Sequence, residues 1–190
     1  MSRLEVITGP MFSGKTEELL RRLNREMIAG KVIRLFRPEI DTRYEKGYVI
    51  SHNGGKLPAE EVPDAFEIWD RSIRSSQASV VGIDEAQFFN NNDLEYFVGE
   101  LLRKENNFKV IVSGLDKDFA LQDFGAIPRL MVLADRLDKL NAVCNKCGAD
   151  DASFTQRLVD GKPAAFDGPT ILVGGTETYE ARCRGCFEIG

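Results

Sequence analysis

A single histidine, His52, occurs among the 190 residues. Mechanisms that need several imidazoles are therefore excluded. The chain also lacks an unbroken apolar run of the length a membrane helix requires, so no membrane partner is expected. Its opening residues, Met1-Ser2-Arg3-Leu4-Glu5, run straight into strand-like sequence and lack the basic-then-apolar layout of a secretory leader. These absences predict a cytoplasmic protein. A basic surplus is missing too, since the formal net charge is −5 with His52 neutral. Phosphate contacts dominate affinity for nucleic acid, and a duplex-binding protein usually carries a basic face. No nucleic-acid partner is expected. Repeats and low-complexity segments are absent as well.

The length suffices for one α/β domain with a substantial core and a small appendage. An apolar content of 43% and a charged content of 29% are those of an ordinary soluble globular protein. Residues 4–8 form a short β-rich apolar run. Residues 15–29 repeat Leu19, Leu20, Leu23 and Met27 at helical spacing, and Gly30 is a natural stop. Residues 32–36 read as a strand. Residues 37–64, rich in Gly, Pro and polar residues, read as a long loop with room for a hairpin. A helix is expected over 65–77, a buried strand over 80–83, a helix over 93–104 and a strand over 108–113. Continuous apolar strands alternating with helices predict a parallel sheet covered on both faces. From about residue 141, CxxC pairs, glycine and short β-runs replace that alternation. Two domains are expected, residues 1–140 and 141–190.

Gly9-Pro10-Met11-Phe12-Ser13-Gly14-Lys15-Thr16 matches G-x-x-x-x-G-K-[ST], with a strand before it and a helix after it. Glycines let backbone N–H groups wrap a phosphate, and the helix N-terminus adds positive partial charge. Lys15 can reach the β- and γ-phosphates of ATP, and the Thr16 hydroxyl can ligate Mg²⁺. The loop alone indicates nucleotide binding, not what receives the phosphate. Further on, the apolar strand over 80–83 closes on Asp84 and Glu85. In P-loop proteins an acid at such a strand end assists Mg²⁺, which suits Asp84. Glu85 beside it can act as a base toward an incoming hydroxyl or water. Strands also commonly end in polar residues that do no more than begin a solvated loop.

The four cysteines form two CxxC pairs, Cys144/Cys147 and Cys183/Cys186. In a cytosolic chain this spacing argues for metal rather than disulfides. Four thiolates suit a closed, tetrahedral, structural Zn²⁺ site with no position left for water. The 35 residues between the pairs exceed the gap of a compact zinc ribbon, so a sizeable loop hangs between the two knuckles. Free buried thiols or a redox pair are the blander readings.

Taken together, these stretches resemble the thymidine kinase family of the cytosolic, zinc-containing type (type II). The resemblance is carried by GPMFSGKT at 9–16, DTRY at 41–44, GIDEAQFF at 82–89, GLDKDF at 114–119 and FGAIP at 124–128. AVCNKC at 142–147, VGGTETYEARC at 173–183 and the closing RGC complete it. It implies an α/β fold: a RecA-like P-loop NTPase core with a parallel sheet flanked by helices, plus a small C-terminal zinc-binding lasso domain. It implies ATP-dependent phosphorylation of the thymidine 5′-hydroxyl, with Glu85 as catalytic base and Lys15, Thr16 and Asp84 on the phosphates and Mg²⁺. Asp41 and Arg43 match a loop pair near the phosphates. Met11, Phe88, Leu115, Phe119, Phe124 and Tyr179 match residues around thymine, and Thr155 matches a pocket residue. The segment with Thr170, Leu172 and Gly174 looks like the lasso that closes over the base. A homotetramer, with thymidine triphosphate as feedback inhibitor, is also implied. Asp123 departs from the family, standing where many relatives have proline.

A pyrimidine needs flat apolar walls and a few fixed polar contacts, which Phe88, Phe119, Phe124 and Tyr179 could supply. Phe89 is expected in the core, since neighbours on an extended segment point oppositely. The residues alone leave other readings open: a RecA-like DNA-dependent ATPase with a zinc ribbon, a zinc-ribbon module with a nucleotide switch, or a kinase of another nucleoside. Only the resemblance points to thymine.

Overall fold

Apolar residues two apart on each central strand send alternate side chains to opposite faces, and helices cover both. A computed structural model describes residues 2–41, 46–74, 78–103, 108–168 and 179–190. In chain order the elements begin with β1 (Arg3–Thr8), α1 (Lys15–Ile28), β2 (Val32–Pro38), β3 (Tyr48–Ile50), β4 (Lys56–Pro58) and β5 (Glu60–Val62). Then come α2 (Ala65–Arg74), β6 (Ala78–Ile83), a 3-10 turn (Ala86–Phe88), α3 (Asn91–Arg103), β7 (Lys109–Gly114), α4 (Ile127–Leu133) and β8 (Arg136–Lys139). The C-terminal part holds β9 (Phe154–Val159), β10 (Lys162–Pro163) and β11 (Tyr179–Arg182).

Six strands form one parallel sheet in the order β5-β2-β6-β7-β1-β8. On one face Leu4, Phe36, Val81 and Val112 pack against α2, α3 and α4 through Ile68, Leu94, Leu101 and Leu130. On the other, Ile7, Leu35, Val80 and Ile111 meet Leu19, Leu20 and Leu23 of α1. The β3–β4 hairpin closes that face with Val49 and Leu57. Truncating a core residue such as Leu23, fully buried here, would cost about 2–5 kcal/mol. This is the expected α/β architecture of a P-loop NTPase.

Three details differ from the sequence reading. Within residues 37–64 the hairpin is present, and β5 follows it and joins the sheet beside β2. β8 pairs with β1 at the other edge. Its four residues, Arg-Leu-Asp-Lys, are mostly exposed and offer no apolar run to read. A charged edge of this kind discourages pairing with other chains. α4 is only seven residues long, too short for a helical repeat to register. The last expected residues of two helices, 75–77 and 104, lie outside the described residues.

One charged network ties α1 to the sheet. The buried Arg22 guanidinium reaches Glu5 Oε2 at 2.8 Å, Glu18 Oε1 at 2.8 Å and Asp138 Oδ2 at 2.7 Å. Lys109 adds a 2.8 Å contact to Glu5. The C-terminal strands form a separate antiparallel sheet, β10-β9-β11.

Candidate active site

Ligands of open α/β sheets bind at the carboxyl ends of the strands, and the candidate residues gather there. β1 ends at Thr8, whose hydroxyl donates to the Gly114 carbonyl at 2.9 Å and holds the ends of β1 and β7 together. The loop over residues 9–16 then turns through positive φ at Gly9, Phe12 and Gly14, and α1 starts at Lys15. Ser13 Oγ donates to the Pro10 carbonyl at 2.8 Å, and Lys15 Nζ donates to the same oxygen at 2.6 Å. The ammonium thus sits inside the loop, at the N-terminus of a helix with Glu17 and Glu18 in its first turn.

β6 delivers Asp84. Its carboxylate accepts from Thr16 Oγ1 at 3.1 Å and from the Ser113 hydroxyl at the end of β7. Burial, and then the charge of Glu85, raise the Asp84 carboxyl from 3.8 to about 6, against the hydrogen bonds that favour its ionised form. Two hard oxygen donors, from Thr16 and Asp84, therefore lie side by side next to the phosphate loop, the donor chemistry Mg²⁺ takes. Glu85 follows at φ 50°, ψ 41°, a left-handed conformation, which a residue with a side chain holds only when its surroundings over-determine it. Gln87 Nε2 donates to Glu85 Oε2 at 2.5 Å. Asp41 is buried beyond the end of β2. Arg43 lies outside the described residues.

The pocket candidates fall into linked pairs. The Phe88 and Phe124 rings meet edge to face, 5.7 Å between centroids at 87°. Leu115 N–H donates to Gln87 Oε1 at 3.0 Å. The Arg157 guanidinium lies over the Phe119 ring at 5.0 Å, and Tyr179 is the ladder partner of Arg157. Met11 N–H donates to Thr155 Oγ1 at 3.0 Å. Phe89 is 4% exposed and belongs to the main core as expected, though Phe88 stands in a 3-10 turn and not on the extended segment that the expectation assumed. The 115–124 loop folds as a small hairpin. Lys117 pairs with Asp123, and the Asp118 carboxylate accepts from the N–H groups of Ala120 and Gln122. Asp123, the residue departing from the family's proline, therefore occupies a bridge position. Thr170, Leu172 and Gly174 lie outside the described residues.

The sulfurs of Cys144, Cys147, Cys183 and Cys186 all lie within 4.8 Å of one another. Cys147 Sγ and Cys183 Sγ are 3.7 Å apart. A tetrahedron with Zn–S bonds of about 2.3 Å has edges of about 3.8 Å, so the set fits zinc. Burial opposes ionisation of Cys144, but backbone N–H groups of Cys183, Cys147 and Lys146 outweigh it and bring the thiol to about 6. Cys186 is pushed up to about 12, chiefly by hydrogen bonding to Cys147 and Cys183. Four thiolates coexist there only with a cation to balance them. The knuckles have a small apolar plug, Ala142, Ala152 and Ala181, and Phe12 of the phosphate loop packs against it. Phe12 is thus a bridge between loop and cysteine unit as well as a loop residue.

Sequence reasoning passed over Ser113 and Gln87. Ser113 announces itself only as a hydroxyl at the end of an apolar strand. Gln87 stands two residues beyond Glu85, inside the same motif.

Comparison with known proteins joins these features. The family model described as Thymidine kinase matches residues 2–187. A thymidine kinase of Coprothermobacter proteolyticus is 53% identical over 186 residues, covering 98% of this chain and 90% of that protein. Among solved structures, domain III of the Thermotoga maritima replication initiation protein DnaA matches with 14% identity and a TM-score of 0.41, over 72% of this chain and 54% of that one. C. elegans PCH-2 matches with 15% identity and a TM-score of 0.42, over 74% and 36%. Neither structural likeness bears on function.

Proposed function

This chain belongs to the thymidine kinase family, and from that premise we propose how its residues move the γ-phosphate of ATP to the 5′-hydroxyl of thymidine. The observation that carries the residue roles is the Thr16–Asp84 contact at 3.1 Å. It sets Glu85, the next residue, beside the phosphate loop where a nucleophile's proton must be taken. The loop over residues 9–16 cradles the triphosphate of ATP with backbone N–H groups other than those of Pro10, which has none, and Met11, which donates to Thr155. Lys15 leaves the Pro10 carbonyl for the β- and γ-oxygens. Thr16 and Asp84 would hold Mg²⁺, which would neutralise charge on the transferring group. Glu85 accepts the proton of the 5′-hydroxyl, and Arg43, on the loop it shares with Asp41, holds charge on the transferring phosphoryl group. Most of the acceleration is positioning and electrostatics.

The base lies between Phe88 and Phe124 on one side and Phe119 and Tyr179 on the other. Met11, Leu115 and Thr155 complete the walls; by family likeness Thr170, Leu172 and Gly174, which lie outside the described residues, also serve the nucleoside. Residues 1–140 act as the ATP-binding domain and 141–190 as a unit held by Zn²⁺ through its four cysteines. Zinc there is structural. By family likeness the protein is a homotetramer inhibited by thymidine triphosphate; its sequence features favour the cytoplasm, and its acidic net charge of −5 argues against a nucleic-acid partner. Among the described residues no helix is long and apolar enough to cross a membrane.

The test is transfer of labelled γ-phosphate from ATP-Mg²⁺ to each of the four deoxynucleosides, with a no-nucleoside control. Transfer to thymidine above the others is expected. ATP hydrolysis indifferent to every nucleoside would instead favour a DNA-dependent ATPase.

A further inference from the structure

We infer that Gln87 is a positioning residue that holds Glu85 for proton transfer and links it to the nucleoside-side loop, an inference that rests on Glu85 being the base. Gln87 is only 3% exposed. Its side-chain amide makes two bonds in opposite directions. Nε2 donates to Glu85 Oε2 at 2.5 Å, and Oε1 accepts from the Leu115 N–H at 3.0 Å. This orientation of the amide is set by chemistry, because an ionised carboxylate only accepts and a backbone N–H only donates.

The surroundings leave Gln87 little freedom. A Cβ on Gly125 would lie 2.4 Å from the Gln87 carbonyl oxygen and 2.5 Å from its Cα. A Cβ on Gly114 would lie 2.6 Å from Gln87 Oε1. Both glycines are thus needed for backbone to approach this one residue so closely. Main chain is fixed from the Gly125 side and the amide from the Gly114 side. The 3-10 turn carrying it is closed by Phe88 N–H donating to the Glu85 carbonyl at 3.1 Å. Glu85 itself sits in a left-handed conformation, which persists only where its surroundings hold it. Gln87 restrains its carboxylate. Through Leu115, the first residue after β7, it also ties the direction of the carboxylate to the loop that bears Phe119 and Phe124. A nucleoside that seats against this loop is thereby read at the base.

The experiment is a double-mutant cycle on the full chain with ATP-Mg²⁺ and thymidine. Gln87→Met keeps length and removes both bonds. Gln87→Glu keeps the acceptor for Leu115 and replaces the donor, and serves as the second variant if Gln87→Met does not fold. Either is expected to lower kcat by about 10- to 100-fold, the scale of a misplaced catalytic group. In the Glu85→Gln background the same change is expected to have almost no further effect in single-turnover assays. Gln87→Met is also expected to raise the thymidine KM while leaving the ATP KM in place, which a mere loss of folded protein would not do. Wild-type kcat in both Gln87 variants, or an equal fold-loss in the two backgrounds, overturns the inference. Wild-type kcat in Glu85→Gln alone is a different result: it removes Glu85 as base, and the inference with it.

Discussion

The backbone N–H of Met11, inside the phosphate-binding loop, donates to the hydroxyl of Thr155 at 3.0 Å, across 144 residues of chain. Thr155 is 6% exposed and sits on β9, whose partner strand β11 starts at Tyr179. One hydrogen bond thus joins the G-x-x-x-x-G-K-T loop to the β10-β9-β11 sheet.

Thr155→Val keeps the shape of the side chain and strands that N–H. An unpaired buried donor costs about 1–3 kcal/mol; Met11 is half-buried, which puts the cost near the lower end, and at this chain length each kcal/mol lowers Tm by about 2–4 °C. The expected outcome is a lower Tm together with raised KM for both ATP and thymidine, and restoration by Thr155→Ser. Steady-state kinetics varying both substrates, alongside a thermal melt, check it. A lower Tm with both KM values unmoved would reduce the bond to a structural one.

Zinc should be bound at one ion per chain in freshly purified protein, counted by elemental analysis. Because Phe12 packs on the cysteine unit, disturbing the metal reaches the phosphate loop as well as the nucleoside side. Cys183→Ser, or chelation, is expected to lower Tm and to raise the thymidine KM several-fold, with a smaller rise for ATP. Fresh, active protein without zinc would end the metal reading.

The parallel sheet was legible because β1, β6 and β7 are apolar on both faces and helices of readable period follow them. The phosphate loop was legible because its chemistry is local in sequence. β8 was not, since its stability comes from the single neighbour β1 and from charge, with Asp138 bonded to Arg22. Ser113 and Gln87 were not legible for a related reason. Each acts through a partner brought close by the fold: Asp84 for Ser113, which is 29 positions away, and Leu115 for Gln87, which is 28 positions away. Phe12 reads as a filler position of the loop motif, and only the fold gives it the cysteine unit to pack against.

Acid should weaken the fold through Arg22 and its partners. The Glu18 carboxyl is lowered from 4.5 to about 2, first by its hydrogen bond from Arg21 and then, against burial, by Arg22. A carboxylate with a depressed folded pKa stabilises the fold above its unfolded pKa, and that contribution fades as pH falls from about 4.5 toward 2. Solvent screening leaves it at about 1 kcal/mol. Glu18→Gln is therefore expected to be less stable than the parent protein at pH 7 and to converge with it near pH 2, read as urea midpoints. Parallel curves would mean that this ion pair adds nothing.

Asp84 should behave in the opposite sense. Its folded pKa, about 6, lies above the ordinary 3.8, chiefly through burial and then through the Glu85 charge. The folded protein then binds more protons than the unfolded chain between those values, so stability falls as pH rises from about 4 to 6 and stays lowered above. The penalty at pH 7.5 is about 3 kcal/mol. Asp84→Asn removes the charge and keeps the shape, so without nucleotide at pH 7.5 it is expected to melt about 6–12 °C higher than the parent protein. A carboxylate that costs stability when alone is explained if it is kept for a cation. Adding ATP-Mg²⁺ should accordingly stabilise the parent protein more than Asp84→Asn, narrowing or reversing the order, while Asp84→Asn loses most of its kcat. If Asp84→Asn melts lower without nucleotide and responds to ATP-Mg²⁺ as the parent does, the carboxylate is a structural anchor for Thr16 and Ser113 and not a seat for the metal.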